Sequence, residues 1–183
     1  MSIEISFELS DADLEHFKTM MKAAMQKASG LSDDQIIEKA RELVGNMEKA
    51  SLPDFVRTRM LSLAALIDAV QDDEWQMPED EQKDIMMSLA YFSEPHDLVP
   101  DDVPVLGYID DAIMIELVLQ DMSLDLKAYR EFCGFRATEE ARRGESAGVN
   151  RENWLAGTRS EIRSSMRRAR QSSKKRRFFS RIM

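Results

Sequence analysis

Three of the chain's five prolines, Pro95, Pro100 and Pro104, fall inside one stretch, "YFSEPHDLVPDDVPVLGYIDD", at residues 91–111. Proline lacks a backbone N–H and pushes its predecessor into extended backbone, so no helix crosses this stretch. The other two, Pro53 and Pro78, stand before runs with helical spacing, where a first turn tolerates them. Only seven glycines occur in 183 residues. The rest of the chain is therefore free to be helical, and its apolar residues recur as helix faces do.

Ser10 is placed to cap a first helix whose buried face is Leu14, Phe17, Met21, Ala24 and Met25, stopping at Gly30. Ser32 and Gln35 form a capping-box pattern ahead of Ile36, Ile37, Ala40, Leu43, Val44 and Met47. A third helix from Pro53 aligns Val56, Met60, Leu63, Ala64, Ile67 and Val70. A fourth starts at Pro78, with acids following where the helix dipole favours them. "DDAIMIELVLQDM" and "SLDLKAYREFCGF" predict two more, the second capped by Ser123. Ile3, Ile5, Phe7 and Leu9 alternate as in a short strand or an extended arm. After Phe135, "RATEEARRGESAGVN" gathers charge, Gly and Ser like a linker, and a last helix begins at Asn150. The expected fold is all-α: a compact bundle of about six helices with a Pro/Asp-rich buried connection, plus a separate basic C-terminal helix. The expected divisions are an acidic helical domain over 1–135, a linker at 136–149 and the basic helix or tail at 150–183.

Extended backbone that buries Leu98, Val99, Val105 and Leu106 must find partners for its own polar groups, since one left unpaired costs roughly 1–3 kcal/mol. Aspartate answers that need by bonding nearby N–H groups in turns and at helix starts. Asp97, Asp101 and Asp110 are placed to do so, and Asp110 or Asp111 would cap the next helix. Gly107 supplies a φ that other residues avoid. The rival reading is a metal site, with Asp97, Asp101, Asp110 and Asp111 as candidate ligands beside Glu94, His96 and Asp102. Their spacing fits no EF-hand loop and the prolines restrict convergence, so the structural reading is preferred.

The same stretch resembles the signature of the YkvA-like family, a bacterial domain of unknown function, over about residues 78–119. Tyr91, Pro95, Asp97, Leu98, Val99, Pro100, Asp101, Pro104, Gly107, Tyr108, Asp110 and Asp111 stand at its pattern positions. The resemblance implies a small helical domain with no assigned reaction, cofactor or catalytic residue, and membrane association in many members. Glu94, His96 and Asp102 depart from the pattern, and Asp110, Asp111 and Glu116 interrupt the apolar run. Several charges cost a few kcal/mol each in hydrocarbon, against insertion of this segment.

Little points to catalysis. His16 and His96 are the only imidazoles: His16 sits among acids on the first helix, and His96 beside Asp97 lacks the convergence a triad needs. Cys133, the single cysteine, excludes an internal disulfide and reads as a small apolar residue, while Trp75 reads as a packing anchor at a helix end. No phosphate loop, zinc motif or nucleophile elbow occurs, and no cofactor is implied. No signal peptide is recognisable, and no apolar run approaches the ~20 residues of a membrane span. A cytoplasmic location is expected, peripheral at the inner face of the membrane if lipid is the partner.

Charge is divided sharply. Residues 142–183 hold thirteen Lys/Arg against three acids; the remainder holds twelve against thirty-one. Arg159, Arg163, Arg167, Arg170, Lys174, Arg177 and Arg181 recur every three or four residues, and Arg168, Lys175 and Arg176 widen the row. On a helix this draws one positive stripe. A solvated charged tail is the plain reading. The functional expectation is a non-catalytic interaction protein whose tail binds a polyanion, RNA or a ribonucleoprotein. The alternative is an anionic membrane surface, favoured by Phe178, Phe179, Ile182 and Met183 beside the bases. A metal-dependent enzyme using the Asp-rich stretch ranks third. The acidic body would suit a protein partner, or the tail itself.

Overall fold

The structure is a computed structural model and describes residues 8–27, 30–93 and 108–180, with side chains left aside at Ala24 and from Ser173 onward. All regular structure among the described residues is helical, as expected. The helices are α1 (Asp11–Lys27), α2 (Asp33–Lys49), α3 (Asp54–Gln71), α4 (Glu79–Leu89), α5 (Ile109–Asp121), α6 (Ser123–Arg143) and α7 (Arg151–Ser180). Short 3₁₀ turns occupy Ala90–Ser93 and Gly144–Gly148. Most of the alternating arm at residues 3–9 lies outside the described residues, as do residues 94–107.

The chain forms two compact units, Met1–Met60 with Met86–Leu117, and Leu61–Ile85 with Val118–Met183. In the first, the caps read at Ser10 and Ser32 are present. Asp13 N–H donates to Ser10 Oγ at 3.3 Å and Ser10 N–H donates to the Asp13 carboxylate at 2.9 Å. Ser32 and Gln35 close their capping box. Ile36, Ala40, Val44 and Met47 form the buried face of α2. The 3₁₀ turn Ala90–Ser93 is buried at every residue and packs on α1 and α2, and Lys39 Nζ donates to the Ser93 carbonyl at 2.7 Å. Ala112, Ile113, Met114, Ile115 and Leu117 make α5 buried nearly all round, the property of an internal helix. Its one mid-helix acid, Glu116, accepts from Arg59 Nε at 3.0 Å.

The helix that Asp110 or Asp111 was expected to cap begins at Ile109. Ala112 N–H bonds the Tyr108 carbonyl, so the helix starts earlier and both aspartates lie in its first turn, where the dipole favours them. Ser123 is likewise the first residue of α6 rather than its cap; its hydroxyl donates to the Gln120 carbonyl at 3.3 Å.

The second unit centres on Trp75, 1% exposed, with Ala69, Tyr129, Phe132, Leu155, Ile162 and Met166. Phe132 lies 5.1 Å from the Trp75 ring, which is the packing anchor the sequence suggested. Two expectations fail here. Residues 136–143, assigned to a linker, continue α6, because Glu139 pairs with both Arg142 and Arg143 one turn on. The helix ends only at Gly144, whose φ of 56° suits glycine. The last helix is not separate either: α7 packs along α6, with Leu155, Ile162 and Met166 in the common core.

Candidate functional site

The sequence singled out the basic row of α7, and the structure divides that row. Leu155, Ile162 and Met166 fall on the same helix face as Arg159, Arg163 and Arg170, so burying the apolar side chains carries these arginines inward with them. What they meet is the turn after α3. Asp72 organises it by accepting from the N–H groups of Glu74 (2.9 Å) and Trp75 (3.2 Å), an Asx-type turn. Gln76 follows at φ 48°.

The turn leaves carbonyls to be satisfied, and α7 supplies donors. Arg159, 8% exposed, donates to the Glu74 carbonyl at 2.7 Å and to Glu152 at 2.6 Å. Arg163 donates to the Trp75 carbonyl at 2.7 Å and to that of Gln76, with its guanidinium 4.7 Å above the Trp75 ring. Burial pulls the Arg163 pKa down. Two guanidinium groups thus satisfy carbonyls of the turn that follows α3.

Carboxylates complete the clasp. Asp72 also accepts from Tyr129 Oη at 3.1 Å and Arg136 at 2.8 Å. Burial first, and then Cys133 and Asp72, drive the Tyr129 phenol far up. Glu74 is held by Arg151 and by Arg136, and the Arg151 bond foremost keeps its carboxyl below the usual range. Arg143 and Arg151 lie over the Trp154 ring at 5.0 and 5.3 Å.

Further along α7, Arg170 donates to Asp125 and, at 3.3 Å, to Glu81. The Asp125 side chain is only 5% exposed and that of Glu81 11%, against 37% for Arg170. Burial most strongly opposes the charge on Arg170, but Asp125, Glu81 and Asp84 together outweigh it and the guanidinium pKa rises. Glu81 carries the excess: burial, with Asp125 and Asp80 adding, lifts its pKa despite Arg170 and Arg163.

The predicted polyanion residues therefore separate into groups. Arg159, Arg163 and Arg170 hold the second unit together and do not form a free stripe. Arg167 and Arg168 are exposed; neither forms an ion pair among the described residues, and Arg167 only reaches Ser164 Oγ at 3.4 Å. The side chains of Lys174, Lys175, Arg176 and Arg177, and the whole of Arg181, lie outside what is described. Sequence reasoning missed Ile162 and Met166, and the signal was present: Leu155, Ile162 and Met166 are spaced 7 and 4, a helical stripe hidden among arginines.

Of the four metal candidates, Asp97 and Asp101 lie outside the described residues together with Pro95, Pro100, Pro104 and Gly107. Asp110 and Asp111 open α5. Among the described residues, no three His, Cys, Asp or Glu side chains are grouped to hold a metal ion. Tyr91 is buried and meets Phe92 edge-on at 5.0 Å. His16 is exposed. Among the described residues, no helix is long and apolar enough to cross a membrane.

Residues 85–117 match the model of a family described as protein of unknown function (DUF1232). The match lies within the stretch that resembles the YkvA-like signature. No curated protein and no solved structure matches the chain.

Proposed function

We propose that this is a non-catalytic interaction protein whose basic C-terminal helix binds a polyanion, with structured RNA or a ribonucleoprotein as partner. The observation that carries the reading is the pair Arg167 and Arg168. Both are exposed and without an acid partner among the described residues, at the point where α7 runs on into Lys174, Lys175, Arg176 and Arg177, with Arg181 following in sequence. Arginine predominates, and its planar fork matches phosphate oxygens two at a time. The row carries no aromatic ladder before Phe178, so recognition would rest on backbone and shape. A cytoplasmic location goes with this partner.

A second reading rests on Phe178, Phe179, Ile182 and Met183 beside the terminal bases, which suit an anionic lipid surface. The two are separated by binding of the full chain, a chain ending at Gln171 and an Arg167→Gln/Arg168→Gln chain. The probes are an RNA hairpin and phosphatidylcholine vesicles with and without phosphatidylserine. Expected is RNA binding that weakens steeply with salt, roughly one unit of log–log slope per phosphate contacted, and that falls in both variants. RNA binding that survives removal of the tail refutes the assignment. Binding to the phosphatidylserine vesicles alone puts lipid in place of RNA.

A further inference from the structure

Arg170 belongs to two sets at once. By spacing it continues the basic row into Lys174 and Arg177, yet in the fold its guanidinium hydrogen-bonds two largely buried carboxylates, Asp125 and Glu81. An anion that drew Arg170 away would leave those carboxylates buried without compensation, which is strongly unfavourable. We propose that Asp125 and Glu81 act as an internal decoy that withholds Arg170 from an incoming polyanion, so that this acid pair sets how strongly the tail binds. The inference rests on the polyanion-binding reading above and concerns its regulation.

The surroundings support a decoy over a plain structural pair. One guanidinium meets two carboxylates, so the hydrogen-bonded trio itself holds one more negative than positive charge. Arg170 is also the most exposed member of the trio, so an anion can reach it once the acids release it. Arg159 and Arg163 lack that property, since backbone carbonyls hold them.

The test is a cycle of full-length chains with an RNA hairpin as probe: the native sequence, Asp125→Asn, Arg170→Gln and the double variant, each checked for a cooperative melt. Glu81→Gln serves as the second acid variant if Asp125→Asn melts poorly. Neutralising the acid is expected to tighten binding at least about threefold and to steepen the salt slope by about 0.7–0.9, the value of one added phosphate contact. Arg170→Gln alone leaves the slope unchanged, while in the double variant it removes the gain. An acid variant that binds no more tightly, or a flattened slope from Arg170→Gln alone, overturns the decoy. If none of the folded chains binds the hairpin, the polyanion reading itself fails, and the decoy with it.

Discussion

The two parts of α7 are both basic and differ in what shares their face with the bases. From Arg151 to Arg170 one face of the helix is built into a core; from Gln171 the sequence has no apolar residue until Phe178. The presence of bases does not separate them. What separates them is Leu155, Ile162 and Met166, three side chains at helical spacing that turn one face inward and oblige the arginines on that face to find carbonyls and carboxylates. A basic run thus becomes structural when apolar residues share its face.

The sharpest way to break this comparison is to cut the chain at two places. Ending it at Val149 removes three buried apolar side chains at roughly 1.5–3 kcal/mol apiece, which rivals the ~5–15 kcal/mol that holds a domain. It also bares the Trp75 cluster. The second unit is expected to lose its cooperative melt, whereas a chain ending at Gln171 should keep its stability within about 0.5 kcal/mol. Equal melting of the two would mean that the inner part of α7 is as dispensable as the outer.

Next in size is Trp75→Ala, expected to cost about 3–5 kcal/mol by thermal or denaturant melting, because the indole sits against Tyr129 and Phe132 and beneath Arg163. A loss below about 1 kcal/mol would place the anchor of the second unit elsewhere.

Much of this was legible before any coordinates. Ser32 with Gln35, Ser10, Pro53 and Pro78 announced helix starts, since a cap is a local interaction and local chemistry is written in neighbouring residues. The end of α6 was misread because Glu139, Glu140, Arg142 and Arg143 look like a polar linker by composition. Glu139 is in fact within one turn of two arginines and supports a helix. The inward row of α7 was misread for a different reason. Its partners are backbone carbonyls of Glu74, Trp75 and Gln76, more than eighty positions away, and carbonyls leave no mark in a sequence. The acids at Asp125 and Glu81 were visible, but their pairing with Arg170 is a property of the fold.

A finer contrast sets one arginine of each kind against the other. Arg163→Met leaves the Trp75 and Gln76 carbonyls without their donor and is expected to cost about 1–3 kcal/mol. Arg168→Met should stay within about 0.5 kcal/mol in stability while weakening RNA binding. If the two variants lose stability equally, the division of α7 into inner and outer cations is wrong.

The smallest effects lie in the pH dependence, where two carboxylates act with opposite sign. Arg142 foremost, and then Arg143, carry the Glu139 pKa from 4.5 to about 2. A folded-state value below the unfolded one gives stability that is complete above about pH 5 and lost as the pH falls toward 2. Glu139→Gln should therefore flatten that part of the acid limb in melts recorded across pH. Glu81 is raised instead, by burial before anything else, so its ionised form weighs against the folded state as the pH climbs through its folded value. Glu81→Gln is then expected to melt at or slightly above the native chain at neutral pH, with the difference closing as the pH falls and native Glu81 takes up its proton. A lower melting point for Glu81→Gln at neutral pH would mean that the attraction to Arg170 exceeds the cost of burying the charge. Glu81 would then be a fastening of α7 in its own right, and the inner part of the helix would extend its grip on carboxylates one turn further than burial alone allows.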